Sequence, residues 1–421
     1  MRCRFALGLL LLTLAAHTVA VPAHAGPPPL TLAEALRQAA GAPVVRAREA
    51  ALRVKRTLDA ELGTLVHNPQ VSGQLGYRRE QGSGGFEGQL AVQQGFSLSG
   101  HAAARRRSAT REEEVLGAEV EATRLLQQLA TAALWAELWA AQQAERQAEE
   151  EVALTAQLLE RTERLARAGA LTQVDVASAQ SYLAEVRARR HGIEGEVFDR
   201  GLELARALGA SEPLRASDGA TVVPLPPLAD ALLEEALRRA PLLPGPAVLQ
   251  RAVAAERARA AESLAQRGTQ VWLGVLGLHE PSTPWAALGT FTLSVPLFER
   301  GQRERADQLA AAARLAVEAA GAGVAAQATL RGAFHEVEHY TALARHVVEQ
   351  LVPAAEREVA LRERLLQVGD GTVLEVLVAR RALVAARAQA ARVQAVRITS
   401  EQRLALYLGQ LGLLGEEGEK P

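Results

Sequence analysis

The chain has 421 residues, 47 basic against 48 acidic side chains and only 4% aromatics. That near-neutral balance excludes the strong basic excess of a nucleic-acid binder, and so few aromatics argue against several ordinary packed cores. Ala, Leu, Arg, Glu and Gln dominate, which is the composition of long paired helices.

The first residues read as a secretory leader. Arg2 and Arg4 form the positive region, Phe5 to Ala16 the apolar run and Ala23-His24-Ala25 a small-residue cleavage site, so 1–25 is expected to be removed after Ala25. The apolar run is shorter than the ~20 residues a spanning helix needs. The only cysteine, Cys3, precedes that run, where a lipid-attachment cysteine would not stand. Disulfides, thiol chemistry and a lipid anchor are therefore not expected. No later stretch of ~18 uninterrupted apolar residues is found, which argues against a helical membrane protein.

Residues 30–40 read as a short helix and 43–66 as a second. The period then changes. Val71, Gly73, Leu75 and Tyr77 alternate with Ser72, Gln74, Gly76 and Arg78; after a Gly/Ser-rich turn at 81–85, Phe86, Gly88, Leu90, Val92, Phe96 and Leu98 oppose Glu87, Gln89, Gln93 and Ser97. Strict period-two alternation of this length predicts a hairpin with one oily and one wet face. From His101 to Ala168 there is no proline, and at 1.5 Å per residue the helix would reach ~100 Å. A shorter helix, Thr172 to Leu208, follows, and the proline-rich 209–227 reads as a linker.

The whole unit then recurs. Glu34-Ala35-Leu36-Arg37 returns as Glu235-Ala236-Leu237-Arg238, Pro69-Gln70-Val71 as Thr269-Gln270-Val271, and Leu208-Gly209 as Leu408-Gly409. A near-constant offset of roughly 200 residues means duplication of one long unit rather than a short solenoid repeat. The second hairpin sets Trp285, Ala287, Phe291, Leu293, Val295 and Leu297 against Thr290, Thr292 and Ser294, after a turn at Pro281–Pro284. Its first strand, Val271 to Leu278, is apolar on both faces and takes its orientation from the repeat alone. Gln302 to Val368 repeats the long helix, interrupted only by Pro353, and Thr372 to about Leu414 repeats the shorter one. Aromatics gather in the hairpins, several near strand ends, where a membrane barrel carries its girdles.

Four strands of ten or more residues are long enough to cross ~25 Å of outer-membrane hydrocarbon when tilted. Four cannot close alone, and an open edge in lipid strands its backbone groups. Several chains must therefore share one barrel; three would give twelve strands.

At this point the chain resembles the TolC family of outer-membrane export ducts over essentially all of 30–414. The resemblance rests on Leu30-Thr-Leu-Ala-Glu-Ala-Leu36, the Asn68-Pro69 strand entry, and Val295-Pro-Leu-Phe298 leading into Gly301. It rests further on the two tip segments Arg167 to Asp175 and Val368 to Glu375. It implies a mainly α fold with a membrane β-barrel: a trimeric 12-stranded barrel standing on a periplasm-spanning α-helical barrel. The units would be a first repeat at 26–208 (strands about 68–98), the linker at 209–227, a second repeat at 228–414 (strands about 268–298) and a tail at 415–421. The implied function is a passive duct without catalysis or cofactor. Its implied partners are a periplasmic adaptor and an inner-membrane pump of the resistance-nodulation-division type. The pattern lies nearest the heavy-metal (CzcC-like) branch, which would imply metal cations as cargo, but Ser97-Leu98-Ser99-Gly100-His101 departs from the Gly-Gly-Lys-like turn that branch often has there.

The functional residues expected are geometric. Gly169, Ala170 and Leu171 form one helix-to-helix tip, and Gly369, Asp370 and Gly371 the other; the resemblance implies that these meet the adaptor. Just past them, the resemblance makes Glu375, with Asp175 as its first-unit counterpart, a pore-gate acid, while Val378 stands where a second acid sometimes lies. As first-turn acids both are also favoured by the helix dipole.

His335-Glu336-Val337-Glu338-His339 matches the H-E-x-x-H zinc-peptidase pattern, with Glu363 conceivable as a third ligand. It lies inside a continuous Ala/Leu/Arg/Glu helix, has no enclosing domain and no counterpart in the first unit, so a solvated face is the preferred reading. His346 lies near the same stripe. No catalytic or metal residues are assigned, and charge runs such as 145–151 are read as solvated faces. The alternative to a duct is a periplasmic coiled-coil adaptor or scaffold.

Overall fold

The computed structural model describes residues 28–80, 83–219, 225–280 and 283–414. The leader and its cleavage site, the loop tips at 81–82 and 281–282, part of the linker, and the tail at 415–421 lie outside the described residues.

Each half of the chain lays down two short helices, a hairpin, one long helical element and a return helix. The first half has α1 (Leu32–Ala40), α2 (Pro43–Ala60), β1 (Gln70–Glu80), β2 (Ser83–Ser97), α3 (His101–Arg167) and α4 (Gln173–Leu208). The second has α5 (Asp230–Arg239), α6 (Pro244–Gln266), β3 (Gln270–Glu280), β4 (Thr283–Ser294), α7 (Gln302–His346), α8 (Val352–Val368) and α9 (Val373–Gln410). α3 and the continuous element Gln302–Val368 are both 67 residues long, or ~100 Å each.

Local chemistry accounts for the boundaries. Thr31 caps α1 in a reciprocal box with Glu34, and Pro43 opens α2 at a position where a missing N–H costs nothing. α2 stops at Ala60 rather than at 66, because the Glu61 N–H turns back to Asp59 and Leu58 and an irregular segment through Gly63 leads into Pro69. β4 ends at Ser294, so Val295 and Leu297 are not strand residues; Pro296 has no N–H to give a ladder. Pro353 does not break the second long element. A π turn at Val347–Leu351, closed by Val352 N–H to Val347, widens the helix just before it and absorbs the missing donor.

The four strands form one antiparallel sheet in the order β1-β2-β3-β4. β2 pairs with β3, with Val92 opposite Val275 and Phe96 opposite Val271, so the sheet fuses the two halves. α2 and then α4 run beside α3, and α6 and then α9 beside α7 and α8. Packing concentrates at mid-height, where Trp135 and Leu138 of α3 meet Leu32 and Leu36 of α1, Leu204 of α4 and Ile398 of α9. Trp135 donates Nε1–H to the Leu30 carbonyl at 2.8 Å. The described part of 209–227 is not a loose tether: Ala216 is buried, bridges to Leu30, and exchanges hydrogen bonds with the Gln142 side chain at 2.8 and 3.1 Å.

One helix comes near the pattern of a membrane span, although charged residues such as Arg314 and Glu318 interrupt its apolar runs. The element Gln302–Val368 contains an 18-residue window long and apolar enough to cross a membrane by length and composition. The window owes its hydropathy mainly to Ala, with a few Leu and Val residues. Val317 and Val324 on its surface are 74% and 67% exposed. The ~100 Å element is about three times the hydrocarbon thickness.

Candidate functional site: the sheet and the helical tips

The register decides which way the sheet faces. Val71, Val92, Val275 and Gly289 form one cross-strand row, Gly73, Leu90, Gly277 and Ala287 the next, and Tyr77 lies opposite Phe86. On this side Leu75, Tyr77, Phe86, Leu90, Leu273, Val275, Phe291 and Trp285 are all exposed. The opposite side carries Gln74, Gln89, Gln93, Thr290 and Thr292. Along β2 its odd-numbered residues are consistently the less exposed, down to a buried Ala91. The inner strand β2 thus shields its polar side and bares its apolar side, while β1 and β4 expose both; the polar side is here termed concave, as it would be in one arc of a barrel wall.

β3 settles the ambiguity that its all-apolar sequence left. Val271, Leu273 and Val275 join the convex face, whereas Trp272, Leu276 and Leu278 join the concave one. Trp272 is therefore not a girdle residue. It lies across Gly95, where an added Cβ would sit 2.9 Å from the indole, and against His67 with ring centres 5.3 Å apart. The convex aromatics cluster toward the loop end: Tyr77 meets Phe86 edge-on at 5.4 Å, and His279 stacks on Trp285 at 4.9 Å. At the other end Ser99 donates its hydroxyl to the Ala265 carbonyl, and Gly100 and Gly301, at φ 73° and 76°, turn strand into helix identically in both halves.

The far ends of the helices form the two tips. Gly169 and Gly369 adopt φ of 77° and 88°, which lets the Ala170 and Asp370 N–H groups close back on the Leu165 and Leu365 carbonyls at 2.9 and 3.0 Å. At Gly371 a Cβ would meet the Leu366 nitrogen at 2.9 Å, so only glycine fits the tighter second tip. Thr172 and Thr372 then cap α4 and α9. The Asp175 carboxylate accepts from the Thr172 N–H and hydroxyl at 2.9 and 2.7 Å; the Glu375 carboxylate accepts from the Thr372 N–H at 3.1 Å and lies 3.5 Å from Arg362. Both expected gate acids thus hold their own helix starts. Around them Val174, Val368, Leu374 and Val378 are exposed, and Val174 and Leu374 line a shallow groove between α4 and α9.

Just above the tips lies a cluster that reading the sequence missed. The Arg380 side chain of α9, only 8% exposed, reaches both Glu151 oxygens of α3 at 3.5 Å and Glu363 of α8 at 2.6 Å. Tyr182 of α4 and Thr155 each donate a hydroxyl to Glu151 at 3.2 Å. Burial, reinforced by the Glu151 carboxylate, pushes the Tyr182 phenol well above its ordinary range. The 145–151 run is therefore not a plain solvated face. Its last member is buried at the junction of four helices, and Glu145 and Glu150 pair with Arg215 and Arg387. No local signal marks Glu151, since its partner is 229 residues away.

The zinc-peptidase pattern does not assemble. Glu336, its general base, is paired with Arg403 at 2.7 Å, and Glu363 belongs to Arg380. Among the described residues no three His, Cys, Asp or Glu side chains converge as a metal site.

Residues 246–410, most of the second half, match the family described as outer membrane efflux protein. No curated protein sequence matches the chain. Among solved structures it is similar to the outer-membrane channel OprN, at 18% identity over 90% of this chain and 89% of that one, with a TM-score of 0.74. It is also similar to VceC of Vibrio cholerae (19%, 90% and 96%, TM-score 0.66) and to CusC (18%, 90% and 92%, TM-score 0.68). The fold is that of these TolC-like outer-membrane channels.

Proposed function

We propose that this chain is one subunit of a passive outer-membrane export duct. In this reading three copies close a 12-stranded barrel through the membrane, and their long helices close a tube beneath it. The observation that carries the reading is the four-stranded sheet, which bares an apolar face on one side and carries Gln and Thr side chains on β1, β2 and β4 on the other, with β1 and β4 at its edges. Backbone groups on such edges cannot be left open in lipid, so further copies must pair with them. The family match over 246–410 and the fold of the channel neighbours support the same reading. A periplasmic adaptor or scaffold shares the long helical hairpins, but such a role gives no reason for the apolar convex sheet.

In this proposal the leader is cleaved after Ala25 and the sheet lies in the outer membrane. The tips Gly169–Leu171 and Gly369–Gly371, with their exposed Val174 and Leu374, dock an adaptor that recruits an energised inner-membrane pump. Glu375 and Asp175 belong to the proposed pore gate, Glu375 by turning from Arg362 toward the axis. Metal cations as cargo rest on the overall resemblance to the heavy-metal branch alone, and Ser97–His101 departs from that branch's usual turn.

Native mass measurement on detergent-extracted protein tests the assembly, and three copies are expected. Amine cross-linkers are unsuitable, because Lys55 and Lys420 are the only lysines. A stable monomer retaining its strand content would overturn the architecture. For the gate, trivalent cations should block conductance in planar bilayers and Glu375→Gln should relieve the block; an unchanged block would remove Glu375 from the gate.

A further inference from the structure

The histidine pattern that fails as a peptidase has a geometry of its own. His335 and His339 are exposed on α7, one helical turn apart, with ring centres 6.0 Å apart and planes only 22° from parallel. An imidazole-bound divalent ion lies about 2.0–2.1 Å from its nitrogen and so roughly 3.2 Å from the ring centre. Two rings sharing one ion at the roughly 90–110° angles of square-planar or tetrahedral coordination have centres about 4.5–5.2 Å apart, so a rotation of these two exposed side chains, which the one-turn spacing permits, is needed to close the stacked pair on an ion. Their face is also free of the helix's packing duties. Leu330, Phe334 and Val337 turn α7 toward the core, and at ~100° per residue His335 and His339 fall on the opposite side.

The neighbours favour a cation. Tyr340 packs edge-on against His339 at 5.1 Å and steadies that ring. Glu336 is turned away to Arg403, while Glu338 shares the exposed face and places a carboxylate within one turn of both imidazoles. His346 lies on the same stripe but ~10 Å further along the axis, too far to share the ion.

We propose that His335 and His339 form a two-imidazole site for a borderline divalent transition-metal ion, with water completing the coordination. Imidazole pairs favour Cu2+, Ni2+ and Zn2+ over Mg2+ or Ca2+. The site needs no third protein ligand, consistent with the absence of a three-residue cluster among the described residues. It does not depend on the duct reading, because binding is measured on the protein itself.

The test is a Cu2+ titration of the untagged, detergent-solubilised protein by calorimetry, with electron paramagnetic resonance on the same samples. One ion per chain is expected, with nitrogen hyperfine structure from two imidazoles. His335→Ala or His339→Ala should each weaken that binding roughly 100-fold, because the second imidazole acts at high effective concentration; His346→Ala should leave it unchanged. All three positions are exposed on one helix, and circular dichroism will verify that the variants fold. Binding that survives both His335→Ala and His339→Ala, or that His346→Ala abolishes equally, would overturn the site.

Discussion

An arginine placed at Leu90 should prevent stable insertion, whereas one placed next door at Gln89 should not. Leu90 is the midpoint of β2 and stands between Gly73 and Gly277 on the neighbouring strands, so no adjacent side chain on those rows would shield a guanidinium there. Arginine at the midplane of a membrane barrel costs ~2–4 kcal/mol, and three copies in the proposed trimer raise that to roughly 6–12 kcal/mol. Phe291→Arg, on the same face opposite Leu273, should behave alike. Gln89→Arg loses a side-chain hydrogen bond to Gln74, worth about 1 kcal/mol, but keeps its charge in a water-filled lumen, and Thr292→Arg loses less. The measurement is the fraction of trimer that resists SDS before heating, in outer-membrane fractions and after refolding into short-chain lipid vesicles. Equal losses for Leu90→Arg and Gln89→Arg would mean that the convex face is not the lipid face, and the reading of the sheet would fail with it.

Three further outcomes follow from the helices. Arg380→Ala leaves the buried Glu151 carboxylate uncompensated, a change of ~3–5 kcal/mol that should accelerate amide exchange in the tip-proximal parts of α3, α4, α8 and α9 by 100-fold or more; the double variant Glu151→Gln/Arg380→Met should recover most of it. Gly371→Ala should destabilise the second tip by ~1–3 kcal/mol and weaken capture of a cognate adaptor, while Ala170→Gly at the roomier first tip should do neither. Burial alone would raise the Glu112 carboxyl, but hydrogen bonds from Lys55 and Arg259 outweigh it and hold it below its ordinary range; burial would likewise lower Lys55, but its hydrogen bonds to Glu112 and Asp59 outweigh that and raise it. The Glu112 contribution is therefore present above the ordinary carboxylate range and lost as pH falls through the lowered value, and that of Lys55 is present below the ordinary lysine range and lost as pH rises through the raised one. Thermal melts across pH 3–7 should steepen their decline at the acid end, and Glu112→Gln should flatten it.

Local pattern and repetition made most of this fold legible. Period-two alternation placed β1, β2 and β4 and their faces, and the duplication placed β3 and the long helices. The misses share a physical reason, since they depend on partners far away in sequence. The face of β3 is set by its ladder to β2, not by its own composition, and only the repeat alignment of Val271 with Val71 gives it in the sequence. Glu151 sits in a run of acids indistinguishable from a solvated face, and only Arg380 from the other half makes it a buried residue. The tips were legible as glycine-capped turns, but the capping roles of Asp175 and Glu375 compete for the carboxylates that a gate would use.

The links between the halves also explain why one chain holds two copies of the unit. If the units merely lay side by side, six of them could close a tube with six-fold symmetry, and nothing would require them to be fused. The backbone comes close to that arrangement, with equal long elements and matching glycine elbows at 100 and 301. The side chains break it. Arg259 of the second half reaches Glu112 of the first, Arg381 reaches Glu185, Arg387 reaches Glu150, and Arg380 reaches Glu151. In every one of these pairs the arginine comes from the second half and the acid from the first. In a ring of identical units every joint would carry the same pairs. Fusion lets the two copies diverge into complementary surfaces, so in the proposed trimer the joint inside a protomer is free to differ from the joint between protomers. Such unequal joints would let some helices move at the tips of the proposed duct while others hold.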